Sequence, residues 1–450
     1  MKSVKSVKSL MLTGLVIFSA MVVAQEPVLV LQGGTLIDGT GRAPIEDAMV
    51  VVQGERIRAV GRRGDIRVPE GATVIQTDGQ TILPGLVDMH LHLQPWKIPM
   101  YLPWGVTTAG DLHANTPWVI AQRSALKAGV MQGPHLFVSG ARVIGSATGN
   151  SPRPFGSGFI KDVEEARLYV RYLHEMGVDH VKVDSTITDE QLEAIIDEAW
   201  NYGLPVLGHL NDIDFAMSIG MKEMEHLPPF LNSQLVREGK PLAENSAQLY
   251  RDVDPTQFSP LINKMAEQGV IVDIALYGWI PPAVWQAALP EIERLQSDPG
   301  LAFIPDEEKT PWTDPPGDPR AGSETVAQFM TQYLEAGGKL TTSSDGVSRS
   351  RIIPGFAQHL IMEGITVMGV SPMAAIQAST LWPAEALGIE ENHGSVEVGK
   401  VADFLIIEGD PLTDIAATRN IRLVIQDGEV VDTGYDPDWV NPIPYPASFR

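Results

Sequence analysis

The sequence predicts an α/β fold in which a (β/α)8 barrel is joined to a β-sandwich built from the N- and C-terminal segments. Between about 84 and 388, short apolar strands alternate with amphipathic helices, and eight such units follow from Leu83. Repeated units of this kind predict parallel strands, and eight of them predict a closed barrel. Residues 25–80 and 389–435 instead hold short β-rich runs separated by glycines, as is typical of a small all-β unit.

Residues 1–24 are predicted to be a secretory signal rather than part of the fold. The first nine residues carry three lysines and no acid, 10–23 is apolar, and small residues precede Gln25. An uncleaved membrane anchor is the alternative, but the apolar run is short for a bilayer span. We therefore expect cleavage after Ala24, no stable membrane anchor, and a secreted, periplasmic protein.

The composition excludes several classes of function. The chain of 450 residues has a formal net charge of -23, which repels nucleic acid and anionic membrane surfaces. We therefore expect a small-molecule substrate and no nucleic-acid partner. The absence of cysteine excludes disulfides and thiol catalysis, so that nitrogen and oxygen atoms would have to hold any metal.

The barrel segment, 81–388, is predicted from apolar runs that end in polar residues. Its strands are predicted at Leu83–His92, Gly105–Asp111, Pro134–Ser139, His180–Asp184, Leu204–His209, Lys222–His226, Val270–Ala275 and Lys339–Asp345. Its helices are predicted at Thr116–Ala128, Asp162–Met176, Thr188–Tyr202, Asn211–Ile219, Pro255–Gln268, Glu324–Ala336 and from Gly355 onwards. Thr188 followed by Gln191 predicts a capping box. Ser371–Leu387 is predicted to be helical, and the proline-containing tail 436–450 irregular.

The first barrel strand ends in two histidines, His90 and His92, separated by one residue. Alternate side chains of a strand share a face, so both imidazoles are expected to point the same way, as a divalent metal requires. On their own they could equally be one buried and one solvated histidine. Other strand ends supply further candidates, namely Lys182, His209, His226 and Asp345.

Each of these residues has a structural alternative when it is taken singly. Lys182 could pair with Asp184, the two histidines could belong to the core, and Asp345 could cap the turn that follows it. Their joint placement at one end of the barrel strands, where barrel active sites lie, favours a metal site instead.

Several motifs together resemble the amidohydrolase superfamily. They are Leu-Pro-Gly-Leu-Val-Asp-Met-His-Leu-His at 83–92, Gly-Val-Thr-Thr at 105–108, the strand-four lysine, the two later histidines, Ser-Asp-Gly at 344–346 and Gly-Ser-Val-Glu-Val-Gly-Lys-Val-Ala-Asp at 394–403. Over residues 28 to 432 the chain is most similar to the imidazolonepropionase-like branch, which includes secreted metal-dependent dipeptidases. The resemblance implies a (β/α)8 TIM barrel, a β-sandwich and a hydrolytic site with two metals.

The resemblance also implies a role for each candidate ligand. His90, His92 and Asp345 would hold the first metal ion, His209 and His226 the second, and Lys182 would bridge both ions as a carboxylated lysine. Burial disfavours the ammonium form of a lysine, and the free amine can react with carbon dioxide to give an anionic carbamate. Zinc suits this ligand set, with manganese, cobalt and iron as alternatives.

The function implied is that of a secreted, binuclear metal-dependent amidohydrolase. A metal-bridging hydroxide would cleave the C–N amide bond of a small peptide, N-acyl amino acid or cyclic amide, with Asp345 as general acid and base. Hydrolysis of a lactone or other ester by the same mechanism is one alternative. A catalytically inert, metal-containing ligand-binding protein is another, and self-association is left open.

Substrate contacts are expected from the loops that follow the strands. The segments 141–160 and 277–322 are long for connections, and a lid is predicted in the second. An arginine there would suit a substrate carboxylate, although each candidate could also lie in a surface loop or in an ordinary ion pair. The candidate substrate-binding residues are His113, Arg142, Tyr277, Trp279 and Arg349.

Overall fold

The structure, a computed structural model, describes residues 26–145, 158–275, 280–314, 322–346 and 352–446. The predicted signal segment 1–24 lies outside these residues. No described helix is both long enough and apolar enough to cross a membrane.

The chain begins with strands that pair as successive hairpins and then return to the first strand. These are β1 (Val28–Leu36), β2 (Ile45–Gln53), β3 (Arg56–Arg62), β4 (Thr73–Gln76) and β5 (Gln80–Pro84). β1 pairs antiparallel with β2 and β2 with β3, while β4 and β5 lie parallel to β1. Gly54 closes the β2–β3 turn with a φ of 57°, a conformation that glycine adopts at little steric cost.

The middle of the chain alternates strands with helices. The strands are β6 (Leu86–Leu91), β7 (Val106–Asp111), β8 (His135–Val138), β9 (Ile144–Gly145), β10 (Phe159–Ile160), β11 (Val181–Val183), β12 (Val206–Gly208), β13 (Glu223–Glu225), β14 (Ile271–Asp273) and β15 (Lys339–Thr341). The helices are α1 (Thr116–Lys127), α2 (Val163–Met176), α3 (Asp189–Trp200), α4 (Ile213–Ser218), α5 (Pro228–Arg237), α6 (Ser246–Asp252), α7 (Ser259–Glu267), α8 (Pro282–Gln296), α9 (Asp306–Lys309), α10 (Ser323–Glu335), α11 (Phe356–Val367), α12 (Pro372–Ala378) and α13 (Leu381–Leu387).

All pairings among the eight longer of these strands are parallel. They form the groups β6-β7-β8, β11-β12 and β13-β14-β15. Parallel bridges between Val143 and Val183 and between Leu91 and Gly346 connect neighbouring groups. The carboxyl ends of the strands therefore lie on one side, and the predicted α/β class with parallel strands is confirmed.

The helix prediction was accurate where capping residues mark the ends. Asp162 accepts a hydrogen bond from Glu165 N at the start of α2, and Thr188 with Gln191 forms the predicted capping box of α3. The prediction of a long loop was wrong for residues 282–296, which form α8, and α5 was not predicted. Both helices begin with proline, which reads as a loop signal but is favoured in the first turn of a helix. The predicted helix Ser371–Leu387 is broken at Thr380 into α12 and α13.

The C-terminal strands complete the sheet that the N-terminal strands begin. They are β16 (Phe404–Glu408), β17 (Ile421–Gln426) and β18 (Glu429–Val430). The sheet order is β18-β17-β16-β5-β1-β2-β3, with β4 on β1, so both ends of the chain contribute to one sheet, as the sequence predicts. Its buried side includes Leu31, Val50 and Phe404. Since only Gly85 separates β5 from β6, this sheet anchors the strand that carries His90.

Candidate metal centre and active site

His90 and His92 converge at the end of β6, as predicted. Their ring centroids lie 5.4 Å apart. The Nε2 atoms of His90 and His92 lie 3.4 Å and 3.1 Å from Oδ1 of Asp345. The backbone places Asp345 there directly, because its N–H donates to the carbonyl oxygen of His90 at 2.8 Å. The first predicted ligand set is therefore assembled in one place.

His209 and His226 face the same carboxylate from the other side. Their Nε2 atoms are 3.1 Å apart, and His226 Nε2 lies 3.7 Å from Asp345 Oδ2. The ring centroids of His90 and His226 are 5.6 Å apart. Four histidines from three strand ends thus surround one aspartate.

Glu225 is a member of the site that the sequence analysis did not predict. Its fully buried carboxylate contacts the Lys182 ammonium nitrogen directly. Its Oε2 lies 3.2 Å from Nε2 of His209 and 3.8 Å from Nε2 of His90. Lys182 therefore reaches the predicted site, and a carboxylate from β13 reaches it as well.

Three residues at or near the strand ends adopt left-handed backbone conformations. The φ angles are 59° for His226, 41° for Ala275 and 45° for Asp345. Such conformations cost a non-glycine residue about 1–3 kcal/mol and cluster at functional sites. At His226 the change in backbone direction breaks the alternation of the strand, so that Glu225 and His226 both contribute to one site.

A hydrogen bond from outside the predicted set orients His90. His90 Nδ1 lies 2.6 Å from Oδ2 of Asp273, and both side chains are fully buried. Asp273 also accepts from the Thr341 hydroxyl at 2.9 Å. With Nδ1 held by this carboxylate, Nε2 of His90 is left to face Glu225 and Asp345, an arrangement common among histidines that bind metals.

The histidines of the site are held in the neutral form that binds metals. Burial is the main cause in each case: it lowers the pKa of His90, His92 and His209, and it lowers the pKa of His226 to about 4. A neutral imidazole keeps a lone pair for a metal ion. These groups therefore offer nitrogen ligands throughout the physiological pH range.

The pKa values of Asp345 and Lys182 move in the direction that suits their predicted roles. Burial acts to raise the pKa of the Asp345 carboxyl group, but His90 and His92 lower this pKa by more than burial raises it. The net shift is therefore downward, and the group is a carboxylate. Burial lowers the pKa of Lys182 to about 8. A larger fraction of Lys182 is therefore in the uncharged amine form than would be the case for a solvated lysine.

Two of the five predicted substrate contacts lie beside the site. The ring centroid of His113 is 6.2 Å from that of His92, and its Nδ1 accepts from Arg142 N at 3.2 Å. The Arg142 guanidinium group lies 3.3 Å from Asp184, so an ion pair holds it at the rim. Tyr277, Trp279 and Arg349 lie outside the described residues.

Lys97, like Glu225 and Asp273, is a residue that the sequence analysis did not single out. Its buried ammonium group donates to the carbonyl oxygens of His92, at 3.0 Å, and of Gly346. These carbonyls flank the predicted ligands His92 and Asp345. Lys97 therefore joins the chain after β6 to the chain after β15.

The atoms that face inward fit a divalent metal. One candidate ligand group comprises His90, His92 and Asp345, and a second comprises His90, Glu225 and His226, with ligand atoms within 4.8 Å of one another in each group. His90 Nε2 is buried and has no hydrogen-bond partner among the described residues. A buried, neutral imidazole nitrogen that points at carboxylates is satisfied by a bound cation.

At this site the ends of parallel strands bring together histidines, a lysine and an aspartate. This arrangement is typical of one class of proteins, the barrel-type metal-dependent hydrolases. A sequence profile of the amidohydrolase family matches residues 101–431. Because this match covers more than half of the chain, the protein belongs to the amidohydrolase family. It is a hydrolase that acts on carbon–nitrogen bonds.

Individual relatives agree with this assignment. An imidazolonepropionase of Pseudomonas putida is 24% identical over 411 residues, covering 85% of this chain and 92% of the relative. The structure of a Xaa-Pro dipeptidase with bound methionine matches 90% of this chain and all of its own (100%), with a TM-score of 0.65 and 20% identity. The structure of molinate hydrolase matches 91% of this chain and 95% of its own, with a TM-score of 0.68 and 21% identity. The predicted resemblance to imidazolonepropionase-like amidohydrolases is confirmed.

Proposed function

We propose that this protein is a secreted, binuclear metal-dependent amidohydrolase that cleaves the amide bond of a small peptide, an N-acyl amino acid or a cyclic amide. The observation that carries the proposal is the set of four neutral histidines around the single carboxylate of Asp345. The similarity to an imidazolonepropionase and to a Xaa-Pro dipeptidase supports a small amide as the substrate.

His90, His92 and Asp345 would hold one ion, and His209 and His226 the other. When bound, the ions would lower the pKa of a water molecule and polarise the scissile carbonyl group. Zinc suits the nitrogen and oxygen ligands. The bridging anion would be a carbamate on Lys182, for which burial of the amine is the support. Glu225 is the alternative bridge, because it already contacts Lys182 and lies near His209.

In this proposal the protein's own side chains carry the proton from the attacking water to the leaving nitrogen. As a carboxylate, Asp345 can accept a proton from the attacking water and deliver it to the leaving nitrogen. Asp273 holds His90 in one orientation by accepting its Nδ1–H. His113 would contact the substrate, which its position next to His92 supports. Burial together with Arg142 lowers the pKa of His113 to about 3, so it would make this contact as a neutral ring.

Two alternatives make different predictions for the same site. An esterase or lactonase would use the same side chains on an oxygen leaving group. A metal-containing binding protein would have no need of a proton acceptor at Asp345. Replacement of Asp345 by asparagine would then leave ligand binding intact.

We propose finer features of the architecture as well. The eight parallel strands would close into a (β/α)8 barrel over 81–388, and 25–80 with 389–435 would form the sandwich. Residues 1–24 would be removed after Ala24 on secretion. N-terminal sequencing of protein recovered from the periplasm of a Gram-negative host tests the last point, and a mature chain that begins at Met1 would contradict it.

The decisive experiment is a hydrolysis screen of zinc-loaded mature protein by mass spectrometry in the presence of bicarbonate. The substrates would be dipeptides, N-acyl amino acids, cyclic imides and lactones, with Asp345→Asn in parallel and the exposed His174→Gln as control. Cleavage of one amide class, lost in Asp345→Asn and kept in the control, is expected. Cleavage of lactones alone would favour the esterase, and tight binding without turnover would favour the binding protein.

A further inference from the structure

A second cluster of histidines and carboxylates lies away from the candidate active site. It comprises His135, His393, Asp403 and Asp427. His135 is the first residue of β8, so it lies at the opposite end of the strands from the candidate active site. Asp403 immediately precedes β16, and Asp427 lies in the turn between β17 and β18. The cluster thus joins the base of the parallel strands to the sheet made by the chain termini.

The distances within this cluster are those of ligands around a common centre. His135 Nε2 lies 3.4 Å from Asp403 Oδ2 and 3.3 Å from Asp427 Oδ1. His393 Nδ1 lies 3.9 Å from Asp403 Oδ2. Two ligands of a tetrahedral zinc ion, each about 2.0–2.1 Å from the metal, lie about 3.4 Å apart.

The inward-facing atoms lack hydrogen-bond partners. His135 Nε2, His393 Nδ1 and Asp403 Oδ2 are buried and form no hydrogen bond within the described part of the chain. The side chains of His393 and Asp403 are only 10% and 9% exposed. Buried polar atoms without partners are costly, so three of them facing one point indicate a ligand that satisfies all three.

The backbone holds these groups in place independently of any ligand. Asp403 Oδ1 accepts a hydrogen bond from Asp427 N at 2.9 Å, which leaves Oδ2 directed at the histidines. The ring centroids of His135 and His393 are 5.0 Å apart. A carboxylate with one oxygen held by the backbone and the other free is a preorganised ligand.

We propose that His135, His393 and Asp403, with Asp427 as a fourth ligand, bind a structural divalent metal ion of the zinc type. Two imidazoles favour zinc or another transition metal over calcium or magnesium, which prefer oxygen ligands. The ion would fasten the start of β8 to the loop before β16 and to the β17–β18 turn. This proposal does not depend on the catalytic function of the active site.

A protonated His135 is the competing explanation for the cluster. Burial acts to lower the pKa of His135, but Asp403 and Asp427 raise this pKa by more than burial lowers it, to about 10. One proton could therefore supply the positive charge that the carboxylates require. A metal count separates the two explanations, because only the metal-binding cluster adds an ion to the protein.

The test is the zinc content of the full-length mature protein after equilibrium dialysis at neutral pH, measured by mass spectrometry. Wild type, His393→Gln, Asp427→Asn and the control His174→Gln would be compared. We expect about one zinc ion per chain fewer in His393→Gln, weaker binding in Asp427→Asn, and no change in the control. Equal zinc contents in all four proteins would overturn the proposal.

A second readout keeps the test independent of folding defects and of the active site. Asp427 is 39% exposed, so Asp427→Asn is expected to fold even if His393→Gln does not. Addition of zinc to metal-depleted protein should raise the melting temperature of wild type and His174→Gln by several degrees more than that of Asp427→Asn. The same stabilisation by zinc in all three proteins would assign the effect to the active site alone and overturn the proposal.

Discussion

At the scale of single residues, Asp345 combines two properties, closeness to several histidines and ionisation despite burial, that together suit it to more than metal binding. It lies within 3.7 Å of three histidine nitrogens, and the neighbouring rings keep it ionised despite burial. A carboxylate in this position can bind a metal ion and also exchange protons with water and substrate. Asparagine has nearly the same shape but cannot accept a proton.

Asp345→Asn should therefore lower kcat by about 10²–10⁴-fold while the protein stays folded. The measurement is turnover of the substrate found in the screen, with circular dichroism and zinc content recorded for the same sample. The exposed aspartate Asp306 provides the matched control, since Asp306→Asn alters a side chain that is 97% exposed. Undiminished turnover in Asp345→Asn would rule out the proposed proton transfer.

The sequence was sufficient to predict that His90, His92, His209 and His226 lie close together, because each stands at a strand end. Glu225 and Asp273 could not be predicted in the same way. Regular alternation directs the side chains of Glu225 and His226 to opposite faces of the strand, and both reach one site because the backbone at His226 is left-handed. Asp273 meets His90 across 183 positions of sequence, and nothing near either residue signals that pairing.

Asp273 should control the orientation of His90 rather than take part in the reaction. Asp273→Asn leaves the shape of the side chain almost unchanged but weakens the acceptor of the His90 Nδ1–H. We expect zinc affinity to fall by about 10–100-fold, as is usual when such a partner is removed. Zinc titration of metal-depleted protein measures the effect, and an affinity equal to that of Asp306→Asn would contradict it.

The identity of the bridging anion can be decided between Lys182 and Glu225. A carbamate on Lys182 should give a carbonyl resonance in ¹³C NMR after incubation with labelled bicarbonate and zinc. The resonance should persist in Glu225→Gln and vanish in Lys182→Met. If wild type gives no such resonance although two zinc ions occupy the active site, Glu225 supplies the bridge.

At the scale of the elements, local signals determined which helices were predicted correctly. Capping residues revealed the starts of α2 and α3. The helices α5 and α8 were not predicted because each begins with proline. Proline is favoured in the first turn of a helix but interrupts a helix elsewhere, so its presence does not by itself predict a helix. The eight parallel strands could be predicted because their apolar runs alternate with the helices. The joining of the N- and C-terminal segments was predicted from the short β-rich runs that they share. The register of pairings such as that of Leu83 with Leu405 could not be predicted, because no local signal sets it.

Lys97 links two of these elements at the site. Its ammonium group donates to the carbonyl oxygens of His92 and Gly346 and so holds the chain after β6 against the chain after β15. Burial lowers the pKa of Lys97 to about 8, because the charged form is less favourable inside the protein than in water. A link of this kind fixes the separation of His92 and Asp345.

Lys97→Met should therefore reduce both stability and zinc affinity. The loss of two hydrogen bonds to a charged donor predicts a destabilisation of about 1.5–3 kcal/mol for each, partly offset by relief of the buried charge. Urea unfolding and zinc titration measure the two effects, with the exposed Lys127→Met as control. Destabilisation without any loss of zinc affinity would show that Lys97 does not position the ligands.

At the scale of the whole molecule, the most important feature is a set of acidic groups buried within a strongly acidic chain. The net charge is -23, and burial raises the pKa of Asp88 and of Asp111 to about 7. Each of these groups holds a proton in the folded state that the unfolded chain would release at lower pH. The contribution of these two groups to the stability of the fold therefore declines as the pH rises from about 4 through about 7.

Glu223 is the strongest member of this set and provides the test. Burial raises its pKa from 4.5 to about 8, with a smaller contribution from Asp273 in the same direction. Because the folded-state pKa lies above the unfolded value, Glu223 lowers stability progressively as the pH rises from about 4.5 through about 8. Glutamine removes the ionisation and keeps an oxygen to accept the 2.9 Å hydrogen bond from Gly208 N.

Glu223→Gln should therefore raise the melting temperature at pH 8, and the gain should shrink to nothing near pH 4.5. Zinc-saturated wild type and variant would be compared by calorimetry between these two values, with the exposed Glu267→Gln as control. A gain that is the same at every pH would mean that packing, and not ionisation, separates the two proteins. A lower melting temperature at pH 8 would show that the ionised carboxylate of Glu223 is stabilised in the fold, in conflict with its burial at the base of the parallel strands.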